Sequence, residues 1–139
     1  DGRVVLGPES YLNDGAHVRG SSGAVLTIGR GCRIGPNVRI YTRTVDPDAD
    51  LSLSSLPRKE GDVTVRDWVW IGANCYIGPG VVIGSNSVIG ANSVVTRDVE
   101  PFEIVGGAPL RHIRFKSSRP GPERTDEVHV RGPENGGHA

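Results

Sequence analysis

The sequence predicts an all-β protein, a parallel β-helix wound from short coils, on three observations. Aliphatic residues recur at intervals of six, glycine and proline are abundant (twenty and ten of 139 residues), and aromatic residues make up only 5%. Glycine and proline at that level ordinarily signal loops or low complexity, and so few aromatics cannot fill an ordinary sandwich core. A strict short repeat resolves both. Six residues is neither a helical period nor a simple strand alternation; it suits a very short strand followed by a tight turn. The aliphatic side chain points inward, a small residue fills the corner, and glycine permits the bend. Three hexads return the chain to the same face, so one coil takes 18 residues. Stacked coils then bury a narrow aliphatic column.

The elements follow in order. A weak first register runs through Leu6, Leu12 and Val18, with Ser10 and Ala16 at the small positions. A clearer one runs through Ile28, Ile34 and Ile40, with Gly29 and Gly35 following and Cys32 and Val38 at the corners. The frame then breaks at residues 46–62, DPDADLSLSSLPRKEGD, an inserted loop of 17 residues, a length usually kept for function. Val65, Ile71, Ile77, Ile83, Ile89 and Val95 resume the repeat without a slip, and Gly72, Gly78, Gly84 and Gly90 follow four of them. Their corner residues are Val69, Cys75, Val81, Ser87, Ser93 and Val99. About four coils result, at 6–23, 28–45, 65–82 and 83–100, within a β-helix domain at residues 1–116. Residues 117–139 are polar, rich in Pro and Gly and aperiodic, and are expected to be a disordered tail.

Charge and cysteine usage narrow the function classes. Sixteen basic and sixteen acidic side chains cancel, so neither nucleic acid nor an anionic membrane is an expected partner. No apolar window approaches a membrane span and no apolar segment opens the chain, so a soluble, cytoplasmic protein is expected. The chain contains no Met, which suggests a trimmed N-terminus. Two cysteines make no disulfide framework. Cys32 and Cys75 fall at inward small positions on different faces and are read as free core thiols. The residues just before the inward aliphatics point outward, and in the last two coils these are Trp70, Tyr76, Val82, Val88 and Val94. Soluble monomers avoid such an apolar belt. Either the C-terminal segment or another subunit must cover it, and a symmetric oligomer is predicted.

Residues 61–114, GDVTVRDWVWIGANCYIGPGVVIGSNSVIGANSVVTRDVEPFEIVGGAPLRHIR, resemble the hexapeptide-repeat acyltransferases, in the branch of maltose, galactoside and nodulation-type O-acetyltransferases. The pieces VWIGA, PGVVIG, VIGANSVVTRD and VGGAPLRHIR occur in the family's order, and the likeness extends back through TIGRGCRIGPNVRIYT to cover roughly residues 5–115. The resemblance implies a left-handed parallel β-helix, a homotrimer, and a cleft between subunits for acetyl-CoA or another acyl-CoA, with no metal. It carries the coenzyme-binding role onto Ala73 and Ala91 along the pantetheine arm, Thr96 and Arg97 near the nucleotide phosphate, and Arg111 and Arg114 in the closing segment. On the acceptor side, Asn13 matches a family Asn, and Arg43 and Trp70 join it as candidates for holding a small-molecule acceptor.

One part of the family pattern is missing. Acyl transfer to a hydroxyl or amine calls for a general base, and a His near neutral pKa suits that work. The family places it five residues after the aliphatic at Ile40; here IYTRTVDPD puts Val45 there and Arg43 at the earlier His of the paired version. An acidic acceptor-site position falls at Gly20 or Ser21. Asp46 and Asp48, beside the vacant position, and His17, one coil from Arg39, are the candidate substitutes. Two readings follow. One is an acyl-CoA-dependent transferase acting on a sugar-like or secondary-metabolite hydroxyl or amine with a non-standard or missing base. The alternative is a lapsed or repurposed trimer that binds a ligand or runs another reaction in the cleft. A zinc site like that of the γ-class carbonic anhydrases needs three His ligands, and the folded body offers only His17 and His112.

Overall fold

A computed structural model describes residues 2–120. Residues 121–139, most of the expected tail, lie outside the described residues. The first coil comprises β1 (Arg3–Leu6), β2 (Tyr11–Leu12) and β3 (His17–Arg19), and the second β4 (Val25–Ile28), β5 (Arg33–Ile34) and β6 (Arg39–Tyr41). An excursion follows, with β7 (Arg43–Val45) and β8 (Arg58–Glu60). The third coil is β9 (Val63–Val65), β10 (Trp70–Ile71) and β11 (Tyr76–Ile77), and the fourth β12 (Val82–Ile83), β13 (Val88–Ile89) and β14 (Val94–Val95). β15 (Glu103–Gly106) and β16 (Arg111–Phe115) close the chain.

The coils stack as a left-handed parallel β-helix with three faces. The first face is β1-β4-β9-β12, the second is β2-β5-β10-β13-β15 with β16 at its edge, and the third is β3-β6-β11-β14. Register follows the hexads: Ile34 pairs with Ile71 and Ile71 with Ile89, while Ile40, Ile77 and Val95 line up on the third face. These aliphatics and the corner residues are buried throughout the inner coils, each full burial worth about 1.5–3 kcal/mol. The first coil, at the open end, keeps Leu6 exposed and Leu12 and Val18 only partly buried.

The turns obey a rule of their own. The third residue after the aliphatic has positive φ at Gly15, Gly31, Asn37, Asn74, Gly80, Asn86 and Asn92. Gly and Asn adopt this left-handed conformation at least cost, which explains the glycine and asparagine content. Glu9, Trp68 and Phe102 occupy the same slot with the same sign of φ. Both cysteines are free and buried. Their thiols point along the stack, Cys32 Sγ toward Arg66 O (2.9 Å) and Cys75 Sγ toward Gly90 O (3.1 Å).

The excursion is wider at its start than the loop expected from the repeat. The second coil ends at Thr42, not at residue 45, and the chain leaves as an antiparallel hairpin in which Arg43 pairs with Glu60, Thr44 with Lys59 and Val45 with Arg58. Thr42 is buried, its hydroxyl within 3.2 Å of Arg19 O and 3.1 Å of Ser21 Oγ, and Gly61 N donates to Thr42 O (3.0 Å) to pinch the base. With its base closed, the arm leaves the second and third coils stacked directly on each other. At the other end β16 pairs antiparallel with β15 and extends the edge of the second face. It is held there by Glu103, buried, whose Oε2 lies 2.7 Å from His112 Nδ1. Tyr76, Val82 and Val88 of the outward belt are half-buried, whereas Trp70 and Val94 stay exposed.

Candidate functional site

Three concavities hold four of the candidate residues, Asn13, Trp70, Arg43 and Thr96. A cleft of about 610 Å³ crosses the second face, walled by Tyr11, Trp68 and Trp70 with Asn13, Arg33 and Glu9 between them. Trp70 follows from the hexad, since the residue before each inward Ile must face out, and it is 57% exposed. Asn13 is held by its own side chain, Nδ2 donating to Ile34 O (3.1 Å). Trp68 was not singled out by the repeat. It stands on a turn with φ of 60°, and its ring packs over Gly31, where any Cβ would collide with it. The signal was present: a Trp in a slot that the neighbouring turns fill with Gly or Asn.

The arm creates the other two. On one side a polar groove of about 590 Å³ gathers Arg19, Arg43 and Arg58 with Ser21, Tyr41 and Thr42. On the other, a smaller recess of about 270 Å³ brings Val45 beside Thr96, with Thr44, Lys59, Tyr76 and Pro79. Val45 and Thr96 are distant in sequence, and only the hairpin brings them to one recess. Burial, and then the neighbouring Tyr41, push the Tyr76 phenol above its ordinary pKa, so near neutral pH it offers a hydroxyl donor. Tyr76 and Tyr41 meet edge to face, ring centres 6.1 Å apart.

The remaining candidates fall around these features. Ala73 and Ala91 lie one above the other at the corner between the second and third faces, where the backbone at Ala91 approaches Gly72. Arg97 is exposed and gives one donor to Asp98 O (3.0 Å), and Arg114 gives one to Phe115 O (3.2 Å). Each keeps the rest of its guanidinium fork for other acceptors. Arg111 pairs with Gly106 across the closing hairpin. Asp46 Oδ1 accepts from Asp48 N (3.0 Å), an Asx turn at the root of the arm, and Asp48 is exposed. His17 is exposed on β3 beside Arg39. Asn13 and Trp70 therefore share the second-face cleft, while Arg43 sits in the arm groove. Neither Asp46, Asp48 nor His17 is among the residues that form these three concavities.

The family described as bacterial transferase hexapeptide (six repeats) matches residues 62–97. Over 108 residues the chain is 42% identical to nodulation protein L of Rhizobium meliloti (strain 1021), spanning 78% of this chain and 57% of that protein. Residues 62–97 thus carry the hexapeptide repeat of that transferase family, and the chain is similar to such proteins over most of its length. Solved hexapeptide-repeat proteins share its fold. An acetyltransferase of Vibrio cholerae O1 biovar eltor complexed with acetyl coenzyme A superposes with a TM-score of 0.74 at 36% identity, over 81% of this chain and 60% of that one. A galactoside acetyltransferase in complex with coenzyme A gives a TM-score of 0.67 at 29% identity, over 81% of this chain and 64% of that one. The chain thus spans about three fifths of the length of these hexapeptide-repeat relatives. Val45, where the resemblance expects the base, and Thr96, where it expects coenzyme binding, both line the recess.

Proposed function

We propose that this chain is an acyl-CoA-dependent transferase. It moves an acetyl or other acyl group from the coenzyme to a hydroxyl or amine of a sugar-like or secondary-metabolite acceptor, and works as a homotrimer. The observation that carries this reading is the recess in which Thr96, on the coenzyme side, meets Val45, at the position where the family resemblance places the base. The relatives complexed with acetyl coenzyme A or coenzyme A support the same donor. Thr96 and Arg97 take the nucleotide phosphates, for which a guanidinium supplies a fork of donors, with Arg111 and Arg114 adding positive charge at the closing end. Ala73 and Ala91 keep the pantetheine path free of bulk.

The acceptor half lies elsewhere on the same chain. Asn13, Trp68 and Trp70 stand in the second-face cleft, where flat aromatic rings and an amide suit a sugar's apolar face and hydroxyls. On the donor side, Thr96 and the recess border the third face. A ring that sets the third face of one subunit against the second face of the next brings the two halves together, and it covers Trp70 and Val94 as it closes.

The reaction needs the acceptor oxygen or nitrogen to add to the thioester carbon, the carbonyl oxygen to take up negative charge, and the C–S bond to break with thiol release. Positioning and hydrogen-bond donors at the oxyanion remain available to this chain. Proton removal is the impaired step. Val45 cannot accept a proton, and Asp46 is committed to its turn. Absence of a general base lowers the rate by roughly 10²–10⁴-fold, so transfer is slow and falls to Asp48 or His17 from a neighbouring subunit, or to solvent. Thiol release with acetyl-CoA over a panel of sugar and amine acceptors tests this. Release above the uncatalysed rate supports it; none, with acetyl-CoA bound, identifies a repurposed binding trimer instead.

A further inference from the structure

The groove beside the arm has no place in the transfer reading so far. Arg19 ends β3, and Arg43 and Arg58 lie diagonally across the β7–β8 hairpin on one face of it. Three arginines thus line a polar hollow of about 590 Å³, with Ser21 and Tyr41 among them. The nearest carboxylate on that hairpin face is Glu60, paired with Arg43 across the strands. Glu60 offsets one of the three charges, since its Oε2 accepts the Ser21 hydroxyl (2.5 Å) at the groove's edge, and the arginines remain in excess. Among the described residues the salt bridges are Arg30–Glu9 and His112–Glu103, so none of the three arginines is paired. In a chain with formal net charge +0, three arginines against one carboxylate around a single hollow focus a local positive field.

We infer that the groove binds an oxyanion carried by the acceptor, a carboxylate or phosphate on the molecule that is acylated. The inference rests on the transfer reading and narrows its substrate class. Arginine forks match both anions bidentately, and the Tyr41 hydroxyl adds a donor. β7 links the groove to the recess: Arg43 lines the first and Val45 the second, two residues or roughly 7 Å apart along an extended strand. That span is about one sugar ring. An anion held by Arg43 and Arg58 therefore leaves a hydroxyl or amine across the ring within reach of the thioester.

Calorimetric titration of the purified chain with glucuronate, glucose 6-phosphate and glucose, without coenzyme, tests the groove and separates carboxylate from phosphate. One or both charged sugars should bind at least tenfold more tightly than glucose. Arg43→Ala and Arg58→Ala should each remove that preference, while Arg43→Lys keeps part of it and circular dichroism stays unchanged. The same sugars and variants then serve in thiol-release assays at saturating acetyl-CoA. Charged sugars that bind in an arginine-dependent way without thiol release uphold the groove and count against the transfer reading. Thiol release to glucose as fast as to the charged sugars, unaltered by Arg43→Ala, upholds transfer and overturns the groove. Arg43→Ala weakening acetyl-CoA as much as the sugar assigns the arginines to the coenzyme and overturns the inference. So does equal binding of charged and neutral sugars.

Discussion

Trp68 shows how a single residue can carry a wall of a cleft at the expense of its own backbone. Its φ of 60° is the value that Asn74, Asn86 and Asn92 hold in equivalent turns, and an L residue with a large side chain adopts it at a cost of about 1–2 kcal/mol. The ring lies over Gly31, itself at φ of 67°. Gly31→Ala is therefore expected to lower stability by about 1–2 kcal/mol for the backbone alone, and further because the new Cβ displaces the Trp68 ring. In a Trp68→Gly background the same change should cost only the backbone part. Urea denaturation of the four proteins of that cycle measures the difference; equal costs in both backgrounds would show that ring and glycine are not coupled. Trp70 was legible from the hexad, whereas Trp68 was not, because the hexad specifies which side chains point in and says nothing of a turn residue's partner one coil away. The asparagine and glycine pattern of the other turns was the clue.

At the scale of elements, the coils and the arm differ in what the sequence reveals. Coil positions follow from local spacing, so Ile71, Ile77, Ile83 and Ile89 are buried as their six-residue interval requires. The arm depends on a hairpin register that no short pattern specifies. The break in the repeat was visible, but its start at Arg43 was not, since Arg43, Thr44 and Val45 alternate as a coil strand also would. The meeting of Lys59, Val45 and Thr96 is likewise a product of that register. Val45→His restores an imidazole at the recess and is expected to raise thiol release by one to three orders of magnitude, from about 10²–10⁴-fold for a full general base; an unchanged rate would place the proton step elsewhere. The coils make a pH prediction of their own. Burial raises the Cys75 thiol above 9.0 and the Tyr76 phenol above 10.0. A group whose folded pKa is raised favours the folded state below its unfolded value and loses that contribution as pH rises through the folded one. Stability should accordingly fall from about pH 9 upward, and Cys75→Ala should remove the first part of the decline. Urea midpoints across that range provide the check, and a flat profile would contradict it.

At the scale of the whole molecule, Thr96 and its recess border the third face and the aromatic cleft crosses the second, so one subunit does not set that cleft against the recess. The outward belt of Trp70 and Val94 is the feature from which the sequence leads to an expected oligomer, whereas hexad spacing leaves open which faces would meet. Val94→Arg places a charge in the proposed interface. It is expected to weaken assembly by about 10²-fold or more, the cost of burying an unpaired charge, and to abolish thiol release. Sedimentation should show smaller species; an assembly unaffected by the change would remove Val94 from the interface. The central claim is that the third-face recess and its flanking cations form a coenzyme site. Calorimetric titration with acetyl-CoA, comparing the unaltered chain with Arg97→Ala, tests it most directly. Micromolar binding that weakens at least tenfold in Arg97→Ala is the predicted result. No binding at millimolar acetyl-CoA would contradict it, leaving the hexapeptide fold as a scaffold for another ligand.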